Sequence, residues 1–448
     1  MNWRRYFGPM PGRREAHAMA WMAITAGVIL CGVSVLLGFH GRTFMGRPLG
    51  GDFVEFYTIG KILNAYPPAA RIYDLDLAVK LQHQILPSMA KTQMLVFGQA
   101  PYVGWLFRPF ALLPYAWAYV AWLGFSAAVY VAALKALFGA VGLNREDRKT
   151  GYLLALSWAP FLFETWIGGQ MASIVFLIWA LFLCCLGNKW QFLAGLVLST
   201  CLFKPTLVAL PAAMLLVNRR WRVTGGLAAG GLGMALISVA TVGLDGCRAW
   251  VRALTFGAQV ATRTGDAWHR AKSVDLTAFF HLLLGDGLVT AILLILLGAA
   301  AVGVLGRAWW GNDDLARNEL WAATLCFTLV VSPYAPIYDT VLAVAAVAMV
   351  AAKREEQSEK DRAAFGAWFL LLYMVPWLTQ SFAEFLHLQL ITIVLAGFGG
   401  WALRLAYEST GEAGTLRLTH SKTKGEESTM THQLQPSVAG RFWVRSRG

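Results

Sequence analysis

QFLAGLVLSTCLFKPTLVALPAAMLLV, residues 191–217, is apolar at nearly every position and runs directly into Asn218-Arg219-Arg220-Trp221-Arg222. As one straight helix it would cross the ~30 Å hydrocarbon layer of a bilayer at ~1.5 Å per residue. Lys204-Pro205 stands in its middle, however, and a proline there removes a helix hydrogen bond and kinks or ends the helix. Two short helices meeting within the membrane accommodate the proline and return the arginine cluster to the side where the stretch began. A backbone break at that depth is tolerated where it is buried in protein or lines a cavity. The break therefore marks a candidate site.

The rest of the chain follows the same theme. Of 448 residues, 57% are hydrophobic and 14% charged, where a soluble domain carries ~25% charge. The net charge of +13 is gathered in clusters between apolar blocks: Arg4/Arg5/Arg13/Arg14, Arg145/Arg148/Lys149, Arg219/Arg220/Arg222, Lys353/Arg354 and Lys422/Lys424. That is the positive-inside pattern of a multispanning protein rather than a basic face for phosphate backbones, which excludes nucleic acid as a partner. Cys31, Cys184, Cys185, Cys201 and Cys326 lie in apolar blocks and Cys247 in a loop, without a CxxC pair. Neither a disulfide framework nor a cysteine metal site is expected.

With the N-terminal arginines inside, Met19–Phe39 reads as a retained first span, too long for a signal peptide. Further crossings are predicted over Tyr115–Phe138, Gly151–Ile167, Met171–Leu186, Val223–Val242, Leu288–Leu305, Glu319–Val331, Asp339–Ala352, Ala363–Leu378 and Phe385–Leu403. Asp245–His281 is expected along the outer interface. The predicted fold is an all-α polytopic membrane protein with about twelve transmembrane or half-membrane helices and both termini inside. Residues 1–405 form the membrane domain, with 40–114 a large outer loop of helical pieces punctuated by Pro67-Pro68, Pro87 and Pro101. The Ser/Thr/Lys-rich tail, 406–448, is expected to be disordered.

Asp52 follows Gly50-Gly51 just outside the first span, and Asp52 and Glu55 share a helix face. A partly desolvated carboxylate at a membrane rim suits a general base. The same pattern also fits a helix N-cap. Lys204, a charge at mid-membrane, needs a partner: a phosphate in a cavity, or a buried carboxylate such as Glu164 or Asp339. Gly168-Gly169-Gln170 reads as a tight outer turn. Ser332-Pro333-Tyr334-Ala335-Pro336-Ile337-Tyr338-Asp339 is a second outer turn whose tyrosines also fit an interface belt. His40, His83, His269, His281 and His387 have no metal-ligand spacing, and Gly225-Gly226 and Gly230-Gly231 read as helix-packing contacts.

In order, Gly51-Asp52-Phe53…Tyr57, Ile72-Tyr73-Asp74, Arg108–Pro114 with Trp122, Trp166…Gly169-Gln170, Phe203-Lys204-Pro205 with Asn218–Arg222, and Ser332-Pro333…Tyr338-Asp339 resemble glycosyltransferase family 87, the DUF2029-type mannosyl- and arabinofuranosyltransferases. The resemblance spans about residues 50 to 340. It implies a GT-C fold, outer loops roofing a cavity in the outer leaflet, a polyprenyl-phosphate sugar donor and inverting transfer, with Asp52 as catalytic base. Where some relatives carry histidines in the Ser-Pro motif, this chain has Tyr334, Tyr338 and Asp339, so no histidine role carries over. Tyr102-Val103-Gly104 likewise replaces a Tyr-Pro-Pro type sequence.

On this reading Lys204 receives the leaving phosphate, helped by Lys61 or Arg71, because preorganised cations stabilise charge developing in a low-dielectric site. Glu55, Tyr57, Gln170, Tyr338 and Asp339 are the candidates for holding substrate. The expected partners are a lipid-linked sugar donor, a glycan or glycolipid acceptor and membrane lipids, in a bacterial-type inner membrane with the site facing outward. No cofactor and no metal are implied. Pentosyl transfer is an alternative of the same type. A secondary transporter or lipid-linked sugar flippase, which also uses broken helices and buried charge, is the rival from another class. A membrane acyltransferase lacks a His-Asp or Ser-His arrangement here.

Overall fold

The computed structural model describes residues 13–36, 49–87, 89, 95–263 and 267–408. Arg4, Arg5, His40, the side chain of His269, and the tail beyond 408 with Lys422 and Lys424 lie outside the described residues. Met1–Leu403 form one compact unit and Arg404–Gly448 a second, and the site lies in the first.

The chain enters as α1 (Arg13–Leu36) and, after a double-glycine turn, forms the short helices α2 (Phe53–Ala65) and α3 (Leu75–Ile85). Asp74 caps α3, its side chain accepting from Leu77 N at 3.1 Å. Pro114 then precedes α4 (Tyr115–Ala140), and Asn144 caps α5 (Arg145–Ser157) by accepting from Asp147 N at 2.8 Å. Pro160 interrupts the apolar block that follows. It opens a π-helix over Pro160–Ile167, and α6 (Ala172–Gly187) leaves the next turn bent by 115° from it.

The decisive stretch 191–217 is two helices, α7 (Gln191–Ser199) and α8 (Thr206–Val217), with Lys204-Pro205 in the break. Next comes α9 (Trp221–Arg263), broken at Gly243, whose φ of 71° lies in the left-handed region. The small residues that open α9 let its backbone touch α7: Gly226 lies against the Phe192 carbonyl and Gly195, and Gly230 against Ser199. These are the packing contacts expected between membrane helices. The chain continues through α10 (Ala267–Lys272), α11 (Leu276–Leu284), α12 (Leu288–Trp309), α13 (Asn318–Val331), α14 (Val341–Ala352), α15 (Glu359–Leu386) and α16 (Leu390–Glu408). The break between α15 and α16 falls at His387, with φ of 54°, rather than near 379–384, because α15 runs on through Pro376.

The protein is therefore an all-α polytopic membrane protein. Among the described residues, six helices are long and apolar enough to cross a bilayer, seven if the bent pair counts as one span, with Thr206–Val217, Asn318–Val331 and Ile337–Ala352 as shorter apolar helices. Fewer blocks span alone than hydropathy suggested, because Pro160, Pro205 and the Ser332–Pro336 turn cut several into pieces too short for ~30 Å. Apolar side chains face outward on α12, where Leu288, Val289, Ile295 and Leu296 are exposed, as lipid contact requires. At one end the connecting loops bond to one another. Asn218 Nδ2 donates to the Asn312 carbonyl at 3.0 Å, Asn318 Nδ2 to the Val141 carbonyl at 3.4 Å, and Arg219 stacks on Trp310 at 5.3 Å. This is the basic, tryptophan-bearing end.

Candidate active site

At the opposite end two glycine turns meet back to back. Gly50 and Gly51 have φ of 82° and 54°, and Gly169 has φ of 73°. Asp52 N donates to the Gly168 carbonyl at 3.0 Å, and Phe53 N to that of Gly50 at 2.9 Å. A Cβ on Gly51 would stand 2.7 Å from the Gly168 oxygen, and one on Gly169 2.5 Å from the Gly50 oxygen and 2.6 Å from Phe53 Cβ. Only glycine supplies both the backbone angles and the room. Two α4 tyrosines fix the pair, Tyr115 donating to Leu49 O at 2.5 Å and Tyr119 to Ile167 O at 2.6 Å.

Asp52 sits at the N-cap position of α2, yet its side chain makes no capping bond. The buried Gln170 instead donates its Nε2 to Asp52 Oδ2. The carboxylate is thus turned toward Gln170 rather than toward its own helix. Glu55, one turn on, is pushed well above the usual carboxylate range by burial and then by the charge of Asp52.

Lys204, in the α7–α8 break, pairs with Asp339 at 2.5 Å, the two side chains keeping 10% and 3% of their surface. Its ammonium also lies 4.4 Å from the centre of the Tyr338 ring. Of the two carboxylates open to Lys204 in the sequence, Asp339 is the partner. Glu164 binds Lys272 Nζ at 3.1 Å and accepts from Gln380 Nε2 at 2.9 Å. The Tyr338 phenol is within electrostatic reach of Asp52, Glu55 and Asp339, and the Pro160–Ile167 helix packs on the 337–340 turn. Tyr338 is therefore in contact with Lys204 and within electrostatic reach of Asp52.

The structure does not bring the other candidates to this spot. Tyr57 is buried and donates to the Leu113 carbonyl at 2.8 Å, a packing role, and Lys61 lies over its ring at 5.7 Å. Nine positions after Asp52, Lys61 is roughly 13 Å further along the helix axis. Arg71 pairs with Asp74 at 3.3 Å. Asp74, Tyr73, Phe97 and Arg252 line a cavity of about 250 Å³ between α3 and the part of α9 beyond Gly243, which neither Asp52 nor Lys204 lines.

Sequence reasoning passed over Asp275. It is 1% exposed, caps α11 by accepting from Ala278 N at 2.8 Å, and accepts from Ala335 N at 2.9 Å. The cap signal was readable; the bond to the Ser-Pro turn was not. Burial, opposed by these backbone amides, raises its pKa to about 6, and Tyr334 lies within its electrostatic reach. A folded-state value above the unfolded one means that protonation favours the fold. That contribution is complete below pH ~4, is lost as pH rises through about 6, and amounts to about 3 kcal/mol.

The model of glycosyltransferase family 87 matches residues 100–333, just over half of the chain. The chain belongs to glycosyltransferase family 87. No curated protein and no solved structure matches it. The matched region of this family 87 enzyme holds Gln170, Lys204, Asp275 and Ser332-Pro333, whereas Asp52 and Asp339 fall outside it. It is a membrane glycosyltransferase. For the family 87 chain, Gly169→Ala is expected to force Asp52 out of register. Backbone strain of about 1–3 kcal/mol should lower the thermal midpoint, and sugar transfer per folded molecule should fall at least tenfold. Both are read on purified protein by melting and by an end-point transfer assay.

Proposed function

We propose that this family 87 protein moves a sugar, mannose first, from a polyprenyl-phosphate carrier to a glycan or glycolipid acceptor at the outer face of the inner membrane, with both termini inside. The observation that carries the reading is the side chain of Asp52, turned away from its cap position onto Gln170 and within electrostatic reach of the tyrosine that a buried lysine contacts. The acceptor hydroxyl attacks the anomeric carbon as Asp52 takes its proton. The bond from that carbon to the phosphate oxygen breaks, and the electron pair leaves with the lipid phosphate. One displacement inverts the anomeric configuration, so a β-linked donor gives an α-linked product.

An ammonium carries three N–H donors. Asp339 accepts from Lys204 and orients it, and the developing phosphate charge draws on the same ammonium. Tyr338 and Gln170 present polar groups to the sugar between the two charges. The basic loops gather at the end opposite Asp52, which supports an outward-facing site by the positive-inside rule. No cofactor enters this scheme.

The test is to incubate reconstituted protein with radiolabelled polyprenyl-phosphate mannose, and in parallel the arabinofuranosyl donor, together with membrane acceptor lipids. Release of polyprenyl phosphate with label in a new glycoside is expected. Movement of intact donor across the vesicle without bond cleavage would overturn the enzyme reading in favour of a carrier.

A further inference from the structure

Residues 271–275, the end of α10 and the link to α11, bond at every position to another element, and Lys272, Ser273, Val274 and Asp275 bond to elements that carry site residues. Lys272 Nζ reaches Glu164 on the π-helix at 3.1 Å, and that helix ends in the Gly168–Gln170 turn against Asp52. Ser273 forms an antiparallel bridge with Pro336, Val274 N donates to the Ala335 carbonyl at 2.8 Å, and Asp275 accepts from Ala335 N at 2.9 Å. On the third side Gln389 Nε2 donates to the carbonyls of Ala271 and Ser273 at 2.7 and 2.9 Å, and Thr392 Oγ1 to that of Val274 at 2.8 Å. Ala271, Ser273, Val274 and Asp275 are buried.

One wall touched by this strap carries Gln170, the partner of Asp52. Another carries Tyr338 and Asp339, the partners of Lys204. A bond network with no slack transmits the position of one wall to the other, whereas a hydrophobic contact would let them slide. We propose that Lys272 and Asp275 are positioning residues for sugar transfer, holding the base half and the phosphate half of the site in register from a single strap. Neither touches substrate. The inference rests on the transfer reading given above.

Burying an ionised carboxylate is a poor way to stabilise a fold. A purely structural cap could be served equally well by asparagine, which keeps one acceptor oxygen but cannot hold the Ala278 and Ala335 amides with two. That difference makes Asp275→Asn the informative variant, with Lys272→Gln at the other end of the strap as the second.

The experiment measures full-length reconstituted protein for transfer from radiolabelled polyprenyl-phosphate mannose, for the thermal midpoint at pH 8, and for hydrogen exchange of peptides covering 160–170 and 332–340. Asp275→Asn should lower kcat at least tenfold with donor KM changed less than threefold, without lowering the midpoint, and should speed exchange in 332–340. Lys272→Gln should do the same for 160–170. Wild-type kcat in both variants would overturn the proposal. So would a loss of activity that only follows a fall in the midpoint, which would make the strap a folding element. A wild-type protein that transfers no sugar fails in the first arm, before any variant is compared, and removes the transfer reading itself.

Discussion

Asp52→Asn is expected to lower turnover by about 10²–10⁴-fold, the usual worth of a positioned general base, with little change in folding. Asparagine is nearly isosteric and keeps an oxygen that accepts from Gln170 Nε2. Because the Asp52 side chain makes no capping bond to α2, the ~1 kcal/mol attached to a lost cap does not arise. What disappears is the ability to take the acceptor's proton. Glu55 sharpens the test. Burial first and the Asp52 charge second raise the pKa of its carboxyl. Removing that charge lets Glu55 ionise more readily, as expected for a coupled pair. Residual turnover in Asp52→Asn should therefore vanish in Asp52→Asn/Glu55→Gln, whereas Glu55→Gln alone, with Asp52 still in place as the base, should retain most activity. Initial rates of glycoside formation at saturating donor read all three. Undiminished turnover in Asp52→Asn would remove Asp52 from the mechanism.

The parts of this architecture that depend on local chemistry were legible in the sequence. Hydropathy placed the long helices, Pro205 split 191–217, and the charge clusters found the basic end. Insertion physics required a partner for Lys204 but could not choose between Glu164 and Asp339, because that choice depends on how α14 and the π-helix pack. The Gly50-Gly51-Asp52 pattern matched a cap signal, and the competing bond comes from Gln170, 118 positions away. Asp275 posed the same problem, its cap being local and its tie to Ala335 lying 60 positions off. Lys61 and Arg71 were chosen for charge and for lying on the outer loop. Helix geometry sets the first roughly 13 Å along α2 from Asp52, and Asp74 engages the second.

The Lys204–Asp339 pair carries the other large effect, and single and double variants separate its two roles. Lys204→Ala leaves Asp339 buried without its counter-charge, and Asp339→Asn leaves a buried lysine in the same position. Breaking a buried pair from one side costs about 3–5 kcal/mol, so each single variant should fold poorly and melt well below wild type. Removing both charges eliminates the uncompensated ion, and Lys204→Met/Asp339→Leu, which keeps apolar volume in the site, should recover most of that stability. A lysine needed only to neutralise Asp339 would leave this double variant active. A lysine that also meets the leaving phosphate would leave it folded and inert, with turnover down by at least a hundredfold. The second outcome is expected, because the Tyr338 ring that the Lys204 ammonium contacts is within electrostatic reach of the Asp52 carboxylate. Unfolding midpoints beside transfer rates on the same preparations decide it, and a stable, fully active double variant would leave the phosphate without its cation.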